Sequence, residues 1–337
     1  EPSTRGFDRM ADIVLGIGTS HTPMLYTEPE HWPKYEARDR KADLLDHDGQ
    51  VRPFDELVAA AGPEVAAAIT PEGIRSAYDT CQENLDRLAD TVLEALPDVV
   101  IIIGDDQKEL FQAENLPAIL IYFGETILNK ERHPRPGEPS WWSESLAKYY
   151  GDGKDEECPV HAALARHLIE FLVEQDFDIA QSTALPESLG EGHAFAFIHS
   201  RILRRRPFPV VPVFLNTYFP PNQPTPRRCY RLGQKIRQAV EHWQSDARVA
   251  VVASGGLSHF VIDQELDASV LTGLEENDTE LLMTLPTVKL NSGTSEIRNW
   301  IAMHGATEHL THQWTGYVPA YRTAAGTGTG CGFGVWK

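Results

Sequence analysis

Short, continuous apolar runs alternate along the chain with longer stretches in which apolar residues recur every three or four positions. The short runs are rich in Val and Ile, a pattern typical of strands buried on both faces of a sheet. Five such strands are predicted, at Ile13–Ile17, Val99–Ile103, Ala118–Tyr122, Val210–Leu215 and Val249–Ala253. A further short run covers Ile179–Ala184.

The longer stretches predict helices. The clearest has Thr70 as its N-cap and Pro71 at its first position, and its apolar stripe continues to Leu96. Further helices are predicted over Val160–Glu174, His193–Arg204 and Cys229–Trp243. Alternating strands and helices predict an α/β fold, a single domain with a mainly parallel central sheet flanked by helices.

Three segments depart from this plan. Residues 1–9 precede Met10 and are interpreted as a disordered leader or a tag, so the predicted domain covers residues 10–337. Glu28–Ala60 is polar and aromatic and predicts a mostly helical insertion at about 28–60. Asn129–Asp155 contains several prolines and a Trp pair, and it predicts a long surface loop of the kind that forms lids.

Composition narrows the function. The chain has 337 residues and a net charge of −19, which argues against a nucleic-acid partner. No apolar stretch is long enough to predict a membrane span. The four cysteines are dispersed without a close pair, so the sequence suggests neither a disulfide scaffold nor a structural zinc site. Together these features predict a cytoplasmic protein.

Candidate chemistry follows the predicted strands. His21 comes after the first strand, Gly104-Asp105-Asp106-Gln107 after the second and His259 after the last, while His193 follows the run at Ile179–Ala184. Sites in such sheets form at the carboxyl ends of strands. One histidine there is more often a hydrogen-bonded structural residue, but several together favour a metal or acid–base site. Three histidines near the C-terminus, His304, His309 and His312, lack a tight metal spacing and are predicted to be solvated.

These residues lie in motifs that resemble a known family. The motifs are Ser20-His21-Thr-Pro, Gly104-Asp-Asp-Gln107, Pro117–Thr126, Gly192-His193, Ser254–His259, Ile262–Asp267, Ser292-Gly-Thr-Ser-Glu296 and Trp300–Gly305. In this order they resemble the class III extradiol ring-cleavage dioxygenases, the protocatechuate 4,5-dioxygenase β-subunit or LigB-like family. The resemblance covers nearly the whole chain from Met10, apart from Glu28–Ala60.

The resemblance implies a non-haem Fe(II) enzyme that opens the ring of a catechol-type or phenolic-acid substrate with O2. Members hold the metal with two histidines and one glutamate. His21 and Glu296 correspond to the first and last ligands, whereas Gln107 stands where the second histidine is expected. A glutamine offers only a neutral amide oxygen. Gln107 could bind the metal weakly, or Asp105 or Asp106 could replace it as the ligand. Alternatively, the metal and the reaction could differ, with Zn or Mn as the alternative metals.

The same resemblance assigns proton transfer to two other histidines. His259 corresponds to the group that takes the substrate hydroxyl proton, and His193 to one that assists oxygen chemistry or returns a proton. Each assignment has an alternative: His193 could simply begin a helix, and Glu296 could be a favourable carboxylate at a helix start. Because of Gln107, two other functions stay open, a metal-dependent hydrolase or lyase and a metal-free binding protein.

The implied partners are a small aromatic substrate and O2. Relatives associate as homo-oligomers or with a small partner subunit, and either arrangement is compatible with the resemblance.

Overall fold

The computed structural model describes residues 9–151, 153–187 and 189–337. The predicted leader, residues 1–9, lies outside this part of the chain except for Arg9. The strands are β1 Asp12–Thr19, β2 Leu44–Leu45, β3 Val51–Arg52, β4 Val99–Asp105, β5 Ile119–Tyr122, β6 Thr126–Asn129, β7 Glu156–Pro159, β8 Ala180–Ser182, β9 Val210–Leu215, β10 Arg248–Ser254, β11 His312–Tyr321 and β12 Gly328–Trp336.

The α-helices are α1 Glu36–Asp39, α2 Phe54–Ala60, α3 Pro63–Ala68, α4 Pro71–Ala95, α5 Ser140–Ala147, α6 Ala162–Glu174, α7 His193–Phe197, α8 Pro226–Glu241, α9 Gln264–Glu275, α10 Thr279–Met283 and α11 Ile297–Thr307. Short 3₁₀ turns cover Pro23–Leu25, Pro29–Tyr35 and Ser292–Glu296, and a π-helical turn, Ile198–Ile202, continues α7. Among the described residues, no helix is both long enough and apolar enough to cross a membrane.

The central sheet has eight strands in the order β11-β12-β1-β10-β4-β9-β5-β8. Its middle, β1-β10-β4-β9, is wholly parallel. β12 pairs antiparallel with β1 and with β11, and β5 runs antiparallel to β9. This confirms the α/β fold with a mainly parallel sheet, and all five predicted strands are present.

Helices cover both faces of the sheet because successive side chains of its parallel strands point to opposite sides. On β4, Ile101 and Ile103 pack in the core with α8 and α11, whereas Val100 and Ile102 pack in the core with α4 and α7. The α4 helix begins as predicted, with Thr70 Oγ1 accepting from the Gly73 N–H. It ends where Leu96 adopts a left-handed conformation.

The glycine-rich segment near the end of the chain forms β12, whose backbone lies close to that of β11. A Cβ on Gly328 would lie 2.0 Å from the Ala320 backbone oxygen. The strand before it, β11, was not predicted: its side chains alternate weakly between buried and exposed positions, and Gly316 and Pro319 interrupt the β-type residues.

The two irregular segments are more ordered than their sequences suggested. The segment at 28–60 contains 3₁₀ and α turns as predicted, together with the β2–β3 hairpin. The predicted long loop at 129–155 was only partly correct, because it contains α5 and because its two ends pair as β6 and β7. The prediction missed the helix because prolines precede its start at Ser140.

Candidate functional site

The predicted site residues meet at one edge of the sheet. β1, β4 and β10 are neighbouring parallel strands, so the residues that follow them, His21, Asp105 at the end of β4, and His259, approach each other. Glu296 enters from the turn before α11. His21, Asp105 and Glu296 are all buried, with exposed fractions of 2%, 0% and 1%.

The carboxylate of Glu296 is the centre of this arrangement. Its Oε2 atom lies 3.3 Å from His21 Nε2 and accepts from the Gly256 N–H at 2.6 Å. Its Oε1 atom lies 3.4 Å from His259 Nε2 and accepts from Gln107 Nε2 at 2.9 Å. All four partners of the carboxylate belong to the candidate site, so these contacts favour a functional role for Glu296 over a role as a helix cap.

The neighbours of His21 fix its tautomer. Ser254 Oγ has one proton, which it donates to the Ala194 backbone oxygen at 2.6 Å, so it accepts from Nδ1 of His21 at 2.9 Å. In the neutral ring, Nε2 therefore carries a lone pair directed at Glu296. This buried atom has no hydrogen-bond partner in the described part of the chain. Two acceptors that face each other in this way are compatible if a cation lies between them.

Asp105 is the acidic residue that joins the group. One ligand atom each from His21, Asp105 and Glu296 lies within 4.8 Å of the other two, a spacing that suits one metal ion. Asp106 points elsewhere: its two oxygens accept from the backbone N–H groups of Leu110 and Phe111, both at 3.0 Å. The Asp106 carboxylate thus caps a loop, so of the two possible substitutes for Gln107 it is Asp105 that lies in this group.

Gln107 reaches the site as a donor. Its side-chain nitrogen donates to Glu296 Oε1 and also to Asp105 Oδ2 at 3.2 Å. Both amide protons are therefore directed at carboxylates, and the amide oxygen, the only atom that could bind a metal, points away from them. In this arrangement Gln107 orients the two acids.

The pKa values of the Asp105 and Glu296 carboxyl groups are shifted in opposite directions. Burial and the negative charge of Glu296 raise the pKa of Asp105 to about 6. Burial acts in the same direction on Glu296, but attraction to the rings of His21 and His259 outweighs it and holds the pKa of Glu296 well below its usual range. Two carboxylates and one imidazole nitrogen form a donor set that suits a divalent cation.

His193 lies beside His21, with ring centroids 4.6 Å apart. Its Nδ1 atom is 2.6 Å from Oε2 of Glu109, which also accepts from the backbone N–H of His193 at 3.1 Å. Burial lowers the pKa of His193, but the charge and hydrogen bond of Glu109 more than offset this and raise it to about 10. His193 also begins α7, so it serves the helix start and the site together.

His259 presents its other nitrogen to the site. Nδ1 lies 2.9 Å from the Leu257 backbone oxygen, which can only accept, so Nε2 is the atom that faces Glu296. The ring needs the glycine at position 293, because a Cβ there would lie 2.0 Å from His259 Cδ2. A cleft with about 330 Å³ of empty volume, its open mouth included, borders His259. Leu45, Asp46, His47 and Gly49 also line this cleft.

Sequence reasoning missed three supporting residues: Glu109, Ser254 in its role toward His21, and Asn299. Asn299 Nδ2 donates to the Ser254 backbone oxygen at 2.9 Å and lies 3.4 Å from Asp105 Oδ1. Asn299 follows Glu296 by three positions, the spacing of one helix face, which was the available signal. Glu109 has no comparable periodicity because it lies in an irregular loop.

Of the C-terminal histidines, His304 was wrongly predicted to be solvated, since it is 1% exposed.

Comparison with known proteins agrees with this geometry. The family described as "Catalytic LigB subunit of aromatic ring-opening dioxygenase" matches residues 16–332. The chain belongs to the LigB family. The matched range includes His21, Asp105, His193, His259 and Glu296, and it also includes residues 28–60.

Individual relatives of this LigB chain match over shorter segments. Gallate dioxygenase of Pseudomonas putida is 35% identical over 159 residues, which cover 43% of this chain and 45% of the relative. The 2,3-dihydroxyphenylpropionate/2,3-dihydroxicinnamic acid 1,2-dioxygenase of Cupriavidus necator is 34% identical over 127 residues, or 38% of this chain and 37% of the relative. The chain thus matches less than half the length of these curated relatives.

Proposed function

We propose that the chain is a non-haem Fe(II)-dependent extradiol dioxygenase that opens the ring of a catechol-type or phenolic-acid substrate with O2. The observation that carries this proposal is the lone pair of His21 Nε2, directed at Glu296 by the hydrogen bond from Nδ1 to Ser254. Family membership and the ring-cleaving relatives point to the same class of reaction.

The metal-binding side chains in this proposal are His21, Glu296 and Asp105. One imidazole and two carboxylates give a ligand set with the same number of protein donors as a facial triad, so coordination positions stay free for substrate and oxygen. Bound Fe(II) would supply the redox chemistry that inserts dioxygen next to the hydroxylated ring carbon. Gln107 holds the two carboxylates by donating to both.

Ring opening requires the removal of a substrate hydroxyl proton and the later return of a proton, and two histidines suit these tasks. His259 donates Nδ1–H to the Leu257 carbonyl and can accept a proton at Nε2. His193 is held by Glu109, whose carboxylate favours the protonated ring, so His193 suits proton donation. Burial lowers the pKa of both rings, but Glu296 raises the pKa of His259 and Glu109 raises that of His193, so each histidine has its own carboxylate partner.

Oxygen consumption tests the proposal. Protein prepared without oxygen is loaded with Fe(II), its metal content is measured, and a panel of catechols and dihydroxylated phenolic acids is added. We expect stoichiometric O2 uptake with at least one substrate and the appearance of a ring-opened product. Absence of uptake by iron-replete protein across the panel would contradict the proposal.

The ligand set favours one second candidate, a metal-dependent hydrolase or lyase. Two carboxylates and one imidazole also suit Zn or Mn, and a metal-bound water could then be the nucleophile. Stoichiometric zinc in protein purified under metal-replete conditions, with no oxygen uptake after exchange to iron, would support this candidate.

A further inference from the structure

A second buried group of metal-binding side chains lies apart from the ligand set around Glu296. It consists of Cys158 on β7, Glu191 in the segment before α7, and His199 in the π-helical turn. One ligand atom from each lies within 4.8 Å of the other two. Their exposed fractions are 8%, 2% and 5%.

The hydrogen bonding of this group is incomplete. Glu191 Oε1 receives two contacts, from His199 Nδ1 at 2.7 Å and from Asn129 Nδ2 at 2.8 Å. Glu191 Oε2, His199 Nε2 and Asn129 Oδ1 are buried without a hydrogen-bond partner among the residues that the structure describes. Buried polar atoms in native proteins are almost always satisfied. Three unsatisfied atoms at one place therefore point to a ligand.

We propose that Cys158, Glu191 and His199 form a second metal site that binds a divalent cation of the zinc type. Thiolate, imidazole and carboxylate are the donors that Zn²⁺ takes in proteins, and water can be the fourth ligand. Around a tetrahedral zinc ion such donors lie roughly 3.3 to 3.7 Å apart, so these side chains need to close by no more than about 1.5 Å.

The position of the site suggests what the metal does. Cys158 and Asn129 belong to the paired strands β6 and β7, which enclose α5 and its neighbouring loops. Glu191 precedes His193 by two residues, and its N–H donates to the Leu128 backbone oxygen at 2.7 Å. A bound ion would therefore join the β6–β7 segment to the segment that places His193.

Cobalt substitution tests this proposal without relying on activity. The set around Glu296 contains no sulfur, so a thiolate-to-cobalt charge-transfer band in the near ultraviolet reports the Cys158 site alone. Metal-free protein titrated with Co²⁺ is expected to develop this band, together with the visible absorption of tetrahedral cobalt. Added Zn²⁺ should abolish both.

Variants separate this site from the other one. In a background that carries His21→Ala and Glu296→Ala, one equivalent of Zn²⁺ should still bind, and Cys158→Ser should abolish the cobalt thiolate band. Cys229→Ser is the matched control, since Cys229 is also fully buried but lies outside both groups of possible ligands in the described chain. Titration of the wild-type protein without a thiolate band overturns the proposal, as does an unchanged band in Cys158→Ser.

Discussion

The side-chain amide of Gln107 donates to Oε1 of Glu296 at 2.9 Å, although Gln107 stands where the family resemblance leads one to expect a ligand. The same nitrogen reaches Oδ2 of Asp105. A residue that donates to two carboxylates supports them and leaves metal binding to the carboxylates themselves.

The first prediction concerns the third ligand. Asp105→Asn removes a carboxylate from the ligand group and should weaken Fe(II) binding strongly, as measured by anaerobic equilibrium dialysis. Asp106→Asn, a matched control at the adjacent position, should keep the Fe(II) affinity, because the Asp106 carboxylate contacts the Leu110 and Phe111 backbone. Equal losses in the two variants would argue against Asp105 as a ligand.

Gln107→His makes a separate test of the same position. An imidazole there would add a better donor for iron than an amide oxygen, so Fe(II) should bind more tightly than in the wild-type protein. A weaker affinity in this variant would mean that the support of Glu296 and Asp105 by the Gln107 amide matters more than an additional ligand.

The second prediction concerns Ser254. Ser254→Ala removes the acceptor that keeps the proton of His21 on Nδ1, so Nε2 is no longer fixed as the metal-binding atom. Loss of such an orienting partner weakens metal affinity by roughly 10- to 100-fold. The Fe(II) dissociation constant measures this effect, and Ser269→Ala, at an exposed position, serves as control. An unchanged dissociation constant in Ser254→Ala would contradict the assigned tautomer.

The third prediction concerns the pair of His193 and Glu109. His193→Asn should lower kcat by roughly 10²- to 10⁴-fold with iron content retained, as expected for loss of a general acid. Glu109→Gln should have a smaller effect on kcat but should also change the pH profile. Glu109 raises the pKa of His193 to about 10, so its neutralisation lowers that pKa. The loss of activity at alkaline pH should then begin at a lower pH.

The control for this pair is Glu131→Gln. Glu131 lies 3.8 Å from His133, whose side chain is 77% exposed, so this pair has the same chemistry outside the site. Its pH profile should match that of the wild-type protein. If Glu109→Gln also left the alkaline limb in place, Glu109 would have only a structural role.

The fourth prediction concerns stability. Arg322 and Asp39 form a buried pair through two hydrogen bonds, at 2.6 and 2.9 Å, and the pair joins the segment at 28–60 to the segment between β11 and β12. Removal of one partner of a buried pair costs about 3–5 kcal/mol. Asp39→Ala should therefore lower the free energy of unfolding by this amount in denaturant titrations.

Asp55→Ala is the matched control for that measurement. Asp55 pairs with Arg40 at 2.8 Å, but its side chain is 84% exposed, and water screens such pairs so that they contribute little to stability. A similar loss of stability in the two variants would show that burial does not distinguish the two ion pairs.

The sequence by itself determined the fold class and much of the site. Continuous Val- and Ile-rich runs identify strands buried on both faces, because only a two-sided sheet lets every residue of a strand be apolar. The carboxyl ends of parallel strands meet at one edge, so His21, Asp105 and His259 could be assigned to one region from their positions after Ile17, Ile103 and Ala253. Glu296 depended on the order of motifs alone, since a carboxylate at a helix start has a local explanation too.

Tertiary structure decided which atoms face each other. Asp105 and Asp106 are adjacent and have identical side chains. Because β4 ends at Asp105, the Asp105 carboxylate faces the site, whereas the Asp106 carboxylate faces backbone N–H groups. The partner of His193 is Glu109, 84 residues earlier in the chain. Cys158 and His199 lie 41 positions apart, and no short-range spacing predicts their approach. Local sequence patterns predict which residues are buried and at which end of a strand they lie. Contacts between residues that are far apart in the sequence depend on how the whole chain packs.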